Sequence, residues 1–444
     1  MGDGMKVLVI MFTKILQRIL KLFGRGSSLP GTIARKLSPN ILSKFKLPNI
    51  TICVTGTTGK TSISGILCQI YEQAGYTVGN NSKGSNLEDG VISLLLENST
   101  VTGKVKTDVL VIELDERYVK RVFKHMQPDY FIVNNISRDQ MARNGHFDIV
   151  WNDIHENITD SIHLILNADD PLIYRMALDH QGKVSYYGLR RTKYSRDKAN
   201  GALDLSYCPV CHHKLIFDYF HYGNIGGYHC PNHDFSRPNV VYESVLNDDG
   251  SFTIDGQVIQ TENNALYQIY NLSAGYVTAL VSGAVDREKI AYALNHLKLK
   301  TKRLDTFQIG KVEATLLLSK NDTPISYNQS IDYICNQKGK KTVFLGFNTI
   351  SIMYNIKDIS WMYDVNFESL QDESIEKIVC MGSFAYDIGV RLKYANIDME
   401  KVSYFEDSTP MLSIIEENTI GHAYLVFPFD MEHQFQALMK EKVK

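Results

Sequence analysis

Residues 50–61, ITICVTGTTGKT, constrain the fold of this chain more than any other segment. A run of β-branched and apolar residues stops there at a glycine-rich turn that contains a lysine. Residues 62–74 then carry apolar side chains at helical spacing. A strand, a glycine turn and a helix N-terminus together form a nest of backbone N–H groups that suits phosphate oxygens. The segment therefore predicts a phosphate-binding loop that consists of Gly56, Thr57, Thr58, Gly59, Lys60 and Thr61.

Two residues of this loop point to a nucleotide. Lys60 would supply a cation for the terminal phosphates, and Thr61 would supply a hydroxyl ligand for Mg²⁺. The spacing differs from the full P-loop pattern, because Val54 stands where the first glycine of that pattern belongs. The alternative is an ordinary strand–helix turn that contains Gly and Lys.

Composition limits the class of protein. The length of 444 residues predicts about three domains, and a hydrophobic content of 44% is ordinary for a globular protein. A net charge of −2 argues against nucleic acid as the main partner. Seven cysteines in so long a chain do not indicate a disulfide scaffold, so we expect a reducing, cytoplasmic compartment.

Residues 5–23 form an apolar segment that is interrupted by Lys14, Arg18 and Lys21. It lacks the roughly 18 uncharged residues of a membrane-spanning helix, and no small-residue cleavage site follows it. As a helix it would be amphipathic and basic. It could lie on an anionic membrane surface, or it could pack on its own domain.

Strand and helix patterns alternate from residue 50 onward, which is typical of a mostly parallel sheet covered by helices. The apolar runs that predict strands are residues 108–113, 130–134, 163–167, 314–318, 342–347, 377–381 and 423–427. Residues 250–260 predict a β-hairpin around Asp255-Gly256, and helical spacing returns at 266–281 and 287–296. We place a domain boundary near residue 300.

Residues 205–240 interrupt the alternation with a segment rich in Cys, His, Gly and Tyr. Cys208 and Cys211 form one C-x-x-C knuckle, and Cys230 and His233 form a C-x-x-H knuckle about eighteen residues later. Two such knuckles match a zinc ribbon, in which a structural Zn²⁺ with four ligands replaces a hydrophobic core. His212, His213 and His229 compete with His233 for the fourth ligand position.

Glu113 ends the apolar run 108–113, at the carboxyl end of a predicted strand. A carboxylate at that position could hold the Mg²⁺ of a bound nucleotide. The alternative is a solvated acidic turn, because Asp115 and Glu116 follow.

Several motifs together resemble the Mur ligases. They are the GTTGKT loop, IELDE around Glu113, VNNISRDQ at 133–140, LNADDP at 166–171, YNLSA at 270–274 and KRLD at 302–305. The cysteine-rich insertion and the strings at 320–329 and 358–364 narrow the resemblance to the MurT-like subunits of lipid II isoglutaminyl synthase. The resemblance extends from about residue 28 to the C-terminus.

This resemblance implies ATP-dependent amidation of the α-carboxylate of D-glutamate in the lipid II stem peptide, through an acyl phosphate. Lys60 and Glu113 would be catalytic residues, with Thr61 and Glu113 as Mg²⁺ ligands. Asn271 matches an asparagine that contacts adenine in the family, and Arg303 matches an arginine near the nucleotide. ATP, Mg²⁺ and a structural Zn²⁺ are the implied cofactors.

The resemblance also implies a separate class I glutamine amidotransferase subunit that supplies ammonia. In the family, the ligase subunit completes the partner's Cys-His pair with an aspartate. Asp358 is the matching residue here, with Asp364 as the alternative. Either carboxylate could instead belong to a turn.

The predicted architecture is an α/β protein in three parts. An N-terminal amphipathic leader covers residues 1–48, and a Mur-ligase-type ATP-binding domain with the zinc-ribbon insertion covers 49–300. A C-terminal α/β domain at 301–444 would contact the glutaminase partner. We expect a heterodimer that works in the cytoplasm at the inner membrane face. The alternatives are a stand-alone amino-acid ligase and a non-catalytic nucleotide-binding scaffold of the amidotransferase.

Overall fold

A computed structural model describes residues 3–22, 28–81, 85–138, 146–199, 203–261, 265–297, 304–320, 323–348 and 359–442. The chain divides into two compact units. The first consists of Met1–Ile136, Phe147–Lys198 and Leu205–Leu299, and the second of Ser137–His146, Ala199–Asp204 and Lys300–Lys444.

The first unit is built on a nine-stranded sheet with the order β11-β10-β9-β6-β5-β4-β1-β3-β2. Its strands are β1 (Ile50–Thr55), β2 (Val78–Asn80), β3 (Val109–Glu113), β4 (Tyr130–Val133), β5 (His163–Asn167), β6 (Val184–Leu189), β9 (Tyr242–Leu246), β10 (Phe252–Ile254) and β11 (Gln257–Ile259). From β2 to β9 the neighbouring strands pair in parallel, and β10 and β11 are added antiparallel.

The helices of this unit pack on the sheet or on one another. They are α1 (Asp3–Leu22), α2 (Leu29–Leu37), α3 (Lys60–Gln73), α4 (Glu88–Asn98), α5 (Val119–Phe123), α6 (Phe147–His155), α7 (Pro171–Tyr174), α8 (Leu266–Val281) and α9 (Arg287–Asn295). Short 3₁₀ turns occur at Ile41–Lys44, Glu116–Tyr118 and Arg175–Ala177. The predicted helix after the glycine loop is therefore confirmed, although it begins two residues earlier than expected.

Strand β1 lies between β3 and β4 in the sheet. The strand order reverses direction beside β1, which makes this position a topological switch point. Strands β3 and β1 are buried along almost their whole length, which explains their continuous apolar sequences. Helix α3 follows β1 and packs against α8 so closely that a Cβ on Gly275 would lie 2.5 Å from Cγ2 of Ile66. Because β1, β3, β4 and β5 are parallel neighbours, their carboxyl ends meet at one edge of the sheet.

The predicted hairpin around Asp255 and Gly256 is confirmed. Strands β10 and β11 pair antiparallel, and the two turn residues have φ values of 49° and 75°. Two successive positive φ values are what a two-residue hairpin turn of type I′ requires, and an Asp-Gly pair supplies them at little cost.

The cysteine-rich insertion forms a separate antiparallel hairpin of β7 (Ile216–Tyr222) and β8 (Ile225–His229). Its small core consists of Cys208, Leu215, Tyr228, Cys230 and Phe235. A core of this size cannot stabilise a fold by itself, so the insertion needs another source of stability.

Helix α1 packs on α2 and α4 with one face only. Ile10 and Thr13 are fully buried on that face, and the Gln17 amide donates to the Ser93 carbonyl oxygen over 2.9 Å. Within the described residues, no helix has the length and apolar character that crossing a membrane requires.

The second unit contains a six-stranded sheet with the order β12-β13-β17-β14-β15-β16. Its strands are β12 (Leu304–Ile309), β13 (Val312–Leu318), β14 (Lys341–Gly346), β15 (Ile375–Met381), β16 (Val402–Phe405) and β17 (His422–Phe427). Its helices are α10 (Pro324–Cys335), α11 (Ala385–Tyr394), α12 (Met411–Asn418) and α13 (Phe429–Lys442), with 3₁₀ turns at Ser360–Asp364, Phe367–Gln371 and Met399–Lys401. The four predicted strands are confirmed, whereas β12 and β16 were not predicted.

Candidate functional site: a glycine loop at the carboxyl edge of the sheet

The loop between β1 and α3 requires two glycines. Gly56 and Gly59 have φ values of 133° and 89°, which side chains rarely adopt. A Cβ on Gly59 would also lie 2.4 Å from Asn271 Oδ1 and 2.6 Å from Asn134 Nδ2. Glycine at position 59 therefore lets the loop lie directly against Asn134, which follows β4, and Asn271 of α8.

The backbone amides of this loop divide into two groups. The N–H groups of Thr57 and Thr58 donate to the backbone oxygen and Oδ1 of Asn135, both over 2.9 Å. The Ile63 N–H donates to the Gly59 carbonyl oxygen, so the amides of residues 60–62 lie in the first turn of α3, where the helix supplies no acceptor. These first-turn amides are the part of the loop best placed for an anion, whereas Thr57 and Thr58 shape the loop.

Lys60 lies in a carboxylate-lined position. Its Nζ donates to the Gly56 carbonyl oxygen over 2.5 Å and pairs with Glu116 Oε1 at 3.0 Å. Both side chains are only 11% exposed. Sequence reasoning did not single out Glu116 for this role, because its turn after β3 reads as solvated.

Thr61 and Glu113 meet at the end of β3. The Thr61 hydroxyl donates to Glu113 Oε1 over 3.1 Å. Adjacent ligands of an octahedral Mg²⁺, bound at about 2.1 Å, lie about 3 Å apart, so the two oxygens fit one edge of such a site. Burial raises the pKa of the Glu113 carboxyl, which makes a cation at this place favourable.

Asn271 and Asn134 close the other side of the loop. Asn134 Nδ2 donates to Asn271 Oδ1 over 3.1 Å, and the Tyr187 hydroxyl donates to Asn134 Oδ1 over 2.8 Å. The structure thus brings Asn271 directly against Gly59. Asn134 and Asn135 follow β4 without a gap, and this position beside β1 is the signal that could have identified them.

The three cysteines of the insertion converge as predicted. Sγ of Cys211 and Sγ of Cys230 are 3.3 Å apart, and Cys208 Sγ lies 3.2 Å from Asp234 Oδ1. The four ligand atoms of these residues all lie within 4.8 Å of one another. Backbone N–H groups of Val210 and Asn232 donate to two of the sulfurs over 3.4 Å, an arrangement that favours thiolates.

His233 is not part of this group, and Asp234 stands where the sequence predicted a histidine. The two knuckles turn differently. In the first knuckle, the residue with a left-handed backbone is His212, which follows Cys211. In the second knuckle, the residue with a left-handed backbone is His233 itself, with φ of 60°. The second turn therefore presents the next residue, Asp234, to the sulfurs. His212, His213 and His229 are likewise outside the group.

A buried ion pair connects the insertion to helix α8, which carries Asn271. Arg237 Nε donates to Asp169 Oδ1 over 2.6 Å, and the Tyr270 hydroxyl donates to Asp169 Oδ2 over 2.5 Å. The Leu189 N–H also donates to Asp169, whose side chain is 0% exposed. Tyr270 precedes Asn271 in α8, so this network fixes the helix that carries Asn271.

Two predicted residues, Arg303 and Asp358, lie outside the described residues. The alternative to Asp358 is described: within the second unit, Asp364 Oδ1 lies 3.3 Å from Arg138 Nη1. Arg138 in turn pairs with Asp204 at 2.5 Å. Asp364 is therefore already engaged by a cation.

A parallel sheet with a glycine loop after β1 and a hydroxyl–carboxylate pair beside a lysine defines a nucleotide-binding domain of the Mur ligase type. Family models match the Mur ligase middle domain over residues 54–226 and the MurT ligase C-terminal domain over residues 318–429. The chain is 30% identical to the MurT subunit of lipid II isoglutaminyl synthase (glutamine-hydrolyzing) from Streptococcus pneumoniae, over 96% of this chain and 94% of that protein. The chain therefore belongs to the MurT family of Mur ligases, as its motifs predicted.

Solved structures show the same fold. A pseudomurein peptide ligase type C from Methanothermus fervidus has a TM-score of 0.69 at 20% identity, covering 91% of this chain and 81% of that one. MurF ligase from Thermotoga maritima in complex with ADP has a TM-score of 0.58 at 15% identity, covering 90% and 80%. The predicted Mur-ligase-like α/β fold is confirmed.

Replacing Arg237 by Met should destabilise the first unit by about 3 kcal/mol, because Asp169 would remain buried without its cation. Urea unfolding followed by tryptophan fluorescence measures this, in a Trp361→Phe background where Trp151 reports the first unit. Arg190→Met is the matched control: Arg190 and Arg237 both pair with Glu243, but the Arg190 side chain is 62% exposed, so we expect a change below about 1 kcal/mol. Equal effects of the two substitutions would contradict the role given to Asp169.

Proposed function

We propose that this chain is the ATP-dependent ligase subunit of a lipid II isoglutaminyl synthase. It amidates the α-carboxylate of D-glutamate in the peptidoglycan stem peptide and uses ammonia released from glutamine. The observation that carries the proposal is the 3.1 Å contact between Thr61 and Glu113 beside Lys60, within a chain of the MurT family.

The chemistry requires activation of an unreactive acid. An oxygen of the substrate carboxylate attacks the γ-phosphorus of ATP, and ADP leaves with the electrons of the broken P–O bond. Ammonia then attacks the acyl carbon of the resulting acyl phosphate, inorganic phosphate departs, and a proton is lost to give the amide. Phosphorylation thus supplies the leaving group that a free carboxylate lacks.

The residues of the loop stabilise charge in the first of these steps. Lys60 and the first-turn amides of α3 face the phosphates, where negative charge is redistributed during transfer. Thr61 and Glu113 would hold Mg²⁺, which neutralises phosphate charge when bound. Asn271, next to Gly59, and Arg303 would contact the rest of the nucleotide.

Replacing Lys60 by Met should lower ATP-dependent amidation by at least about a hundredfold, because the cation that stabilises the transferring phosphate is lost. Product formation from lipid II, ATP and ammonia measures the effect, and Lys124→Met, at an exposed position after α5, is the control. Unchanged amidation by the Lys60 variant would favour the non-catalytic scaffold, and turnover that depends on a free amino acid would favour the stand-alone ligase.

We also propose that the insertion holds one structural Zn²⁺ through Cys208, Cys211, Cys230 and Asp234. Ligand atoms bound to a tetrahedral zinc at about 2.3 Å lie about 3.8 Å apart, which the spacing of these four groups allows. The ion would supply the stability that the small core of the insertion lacks.

Metal analysis of protein purified without chelator should find about one equivalent of zinc. Asp234→Ala should lose this zinc to a competing chelator at least about tenfold faster than the wild type, because one ligand is missing. His233→Ala is the control in the same turn and should release zinc at the wild-type rate. A zinc-free wild-type protein, or faster loss from the His233 variant, would overturn this ligand set.

We further propose that a class I glutamine amidotransferase subunit supplies the ammonia and that Asp358 completes its catalytic triad. A carboxylate in that position orients the histidine and stabilises its charged form. The ion pair of Asp364 with Arg138 favours Asp358 over Asp364 for this role.

Asp358→Asn should abolish glutaminase activity of the complex while amidation with free ammonia survives. An amide keeps the size of the side chain but loses the charge that the imidazolium needs. Glutamate release and amide formation, measured separately, distinguish the two activities. Asp364→Asn is the control, and the reverse pattern between these two variants would move the triad role to Asp364.

A further inference from the structure

The outward face of α1 carries a continuous apolar stripe. Its large side chains are exposed to between 42% and 84% of their surface: Leu8, Met11, Phe12, Ile15, Ile19 and Leu22. At 3.6 residues per turn, these six positions fall within an arc of about 100°. Helix α2, which packs beside α1, also exposes Leu29 and Leu37.

The opposite face of α1 is fixed to the domain. Ile10 is fully buried, and the Gln17 amide holds the Ser93 carbonyl oxygen at 2.9 Å. Lys14 Nζ donates to the Ser99 carbonyl oxygen over 2.7 Å. Because these contacts fix the rotation of the helix, the stripe cannot turn inward to bury itself.

The positive charge of the chain is concentrated in its first fifty residues, which include α1 and α2. Residues 1–50 contain nine Lys and Arg and one Asp, a net charge of +8, while the rest of the chain carries −10. Arg18 is exposed between Ile15 and Ile19 along α1, and Lys36 is exposed beside Leu37 on α2. A surface that joins apolar side chains to excess positive charge fits an anionic, partly apolar partner.

We propose that the stripe of α1 docks on the surface of an anionic lipid bilayer and lies in the plane of the interface. The helix has twenty residues and is about 30 Å long, so it offers the whole stripe to the headgroup region at once. No described helix can span a bilayer, so this contact is peripheral. This inference rests on the proposed function, because a lipid-linked substrate is itself confined to the membrane.

Charge also argues against a second copy of the chain as the occupant. A symmetric dimer would bring the same basic surface of two chains together, and their like charges would repel. An anionic bilayer meets the apolar stripe and the positive charge with complementary groups.

Vesicle co-sedimentation of the 444-residue chain tests the proposal. Binding to vesicles of phosphatidylcholine and phosphatidylglycerol should exceed binding to phosphatidylcholine alone by at least about tenfold and should weaken with salt. The double variant Phe12→Asp/Ile19→Asp should lose at least about tenfold of this binding. Arg18→Glu should weaken binding to the anionic vesicles only.

The matched control places the same two charges elsewhere in the first unit. Ile149 and Val241 are exposed to 47% and 74%, so Ile149→Asp/Val241→Asp should bind vesicles as the wild type does. Circular dichroism and ATP binding show whether each variant is folded. Equal binding by the stripe variant and this control, or a change of oligomeric state in the stripe variant without a change in vesicle binding, would overturn the proposal.

Amidation assays separate this proposal from the proposed function. The stripe variant should amidate lipid II embedded in anionic vesicles at least about tenfold more slowly, yet process a water-soluble analogue at the wild-type rate. If the wild-type chain amidates neither substrate, the proposed function fails while the vesicle result stands. If the variant processes both substrates as the wild type does, only the membrane contact fails.

Discussion

The close approach of Gly59 to Asn134 and Asn271 is the constraint on which the candidate site depends. A left-handed backbone and the absence of a Cβ let the loop after β1 pass so close to two asparagine side chains that a Cβ on Gly59 would clash with both. The loop is thereby held between β4 and α8. Helix α3 then begins where Lys60 and Thr61 face the end of β3, so one glycine determines the position of the remaining groups.

The charges at this site are balanced within the protein. Lys60 is paired with Glu116, and burial raises the pKa of Glu113. The phosphates of a bound nucleotide would compete with Glu116 for the same ammonium group, whereas a divalent cation would reduce the cost of keeping Glu113 ionised. In the proposed function, a nucleotide would thus draw the cation away from Glu116, whereas a metal ion would place one beside Glu113.

The cysteine-rich insertion contributes to the same site through Asp169. This buried carboxylate accepts hydrogen bonds from Arg237 in the insertion and from Tyr270 in α8. The insertion, whose own core is small, is thus connected through one ion pair to helix α8, which carries Asn271. Its stability and the position of Asn271 depend on the same network.

The sequence by itself determined the parallel sheet, the glycine loop, the hairpin at Asp255-Gly256 and the three clustered cysteines. Each follows from local chemistry: alternation of apolar runs, positive φ at glycine, or the spacing of thiols. Only the tertiary structure decided that Glu116 pairs with Lys60, that Asn135 occupies the amides of Thr57 and Thr58, and that Asp234 replaces His233 among the sulfurs. It also showed that α1 both packs on its domain and exposes an apolar face. These outcomes depend on which strands are neighbours and on the direction of a single turn, and neither is encoded in the residues that lie next to one another along the chain.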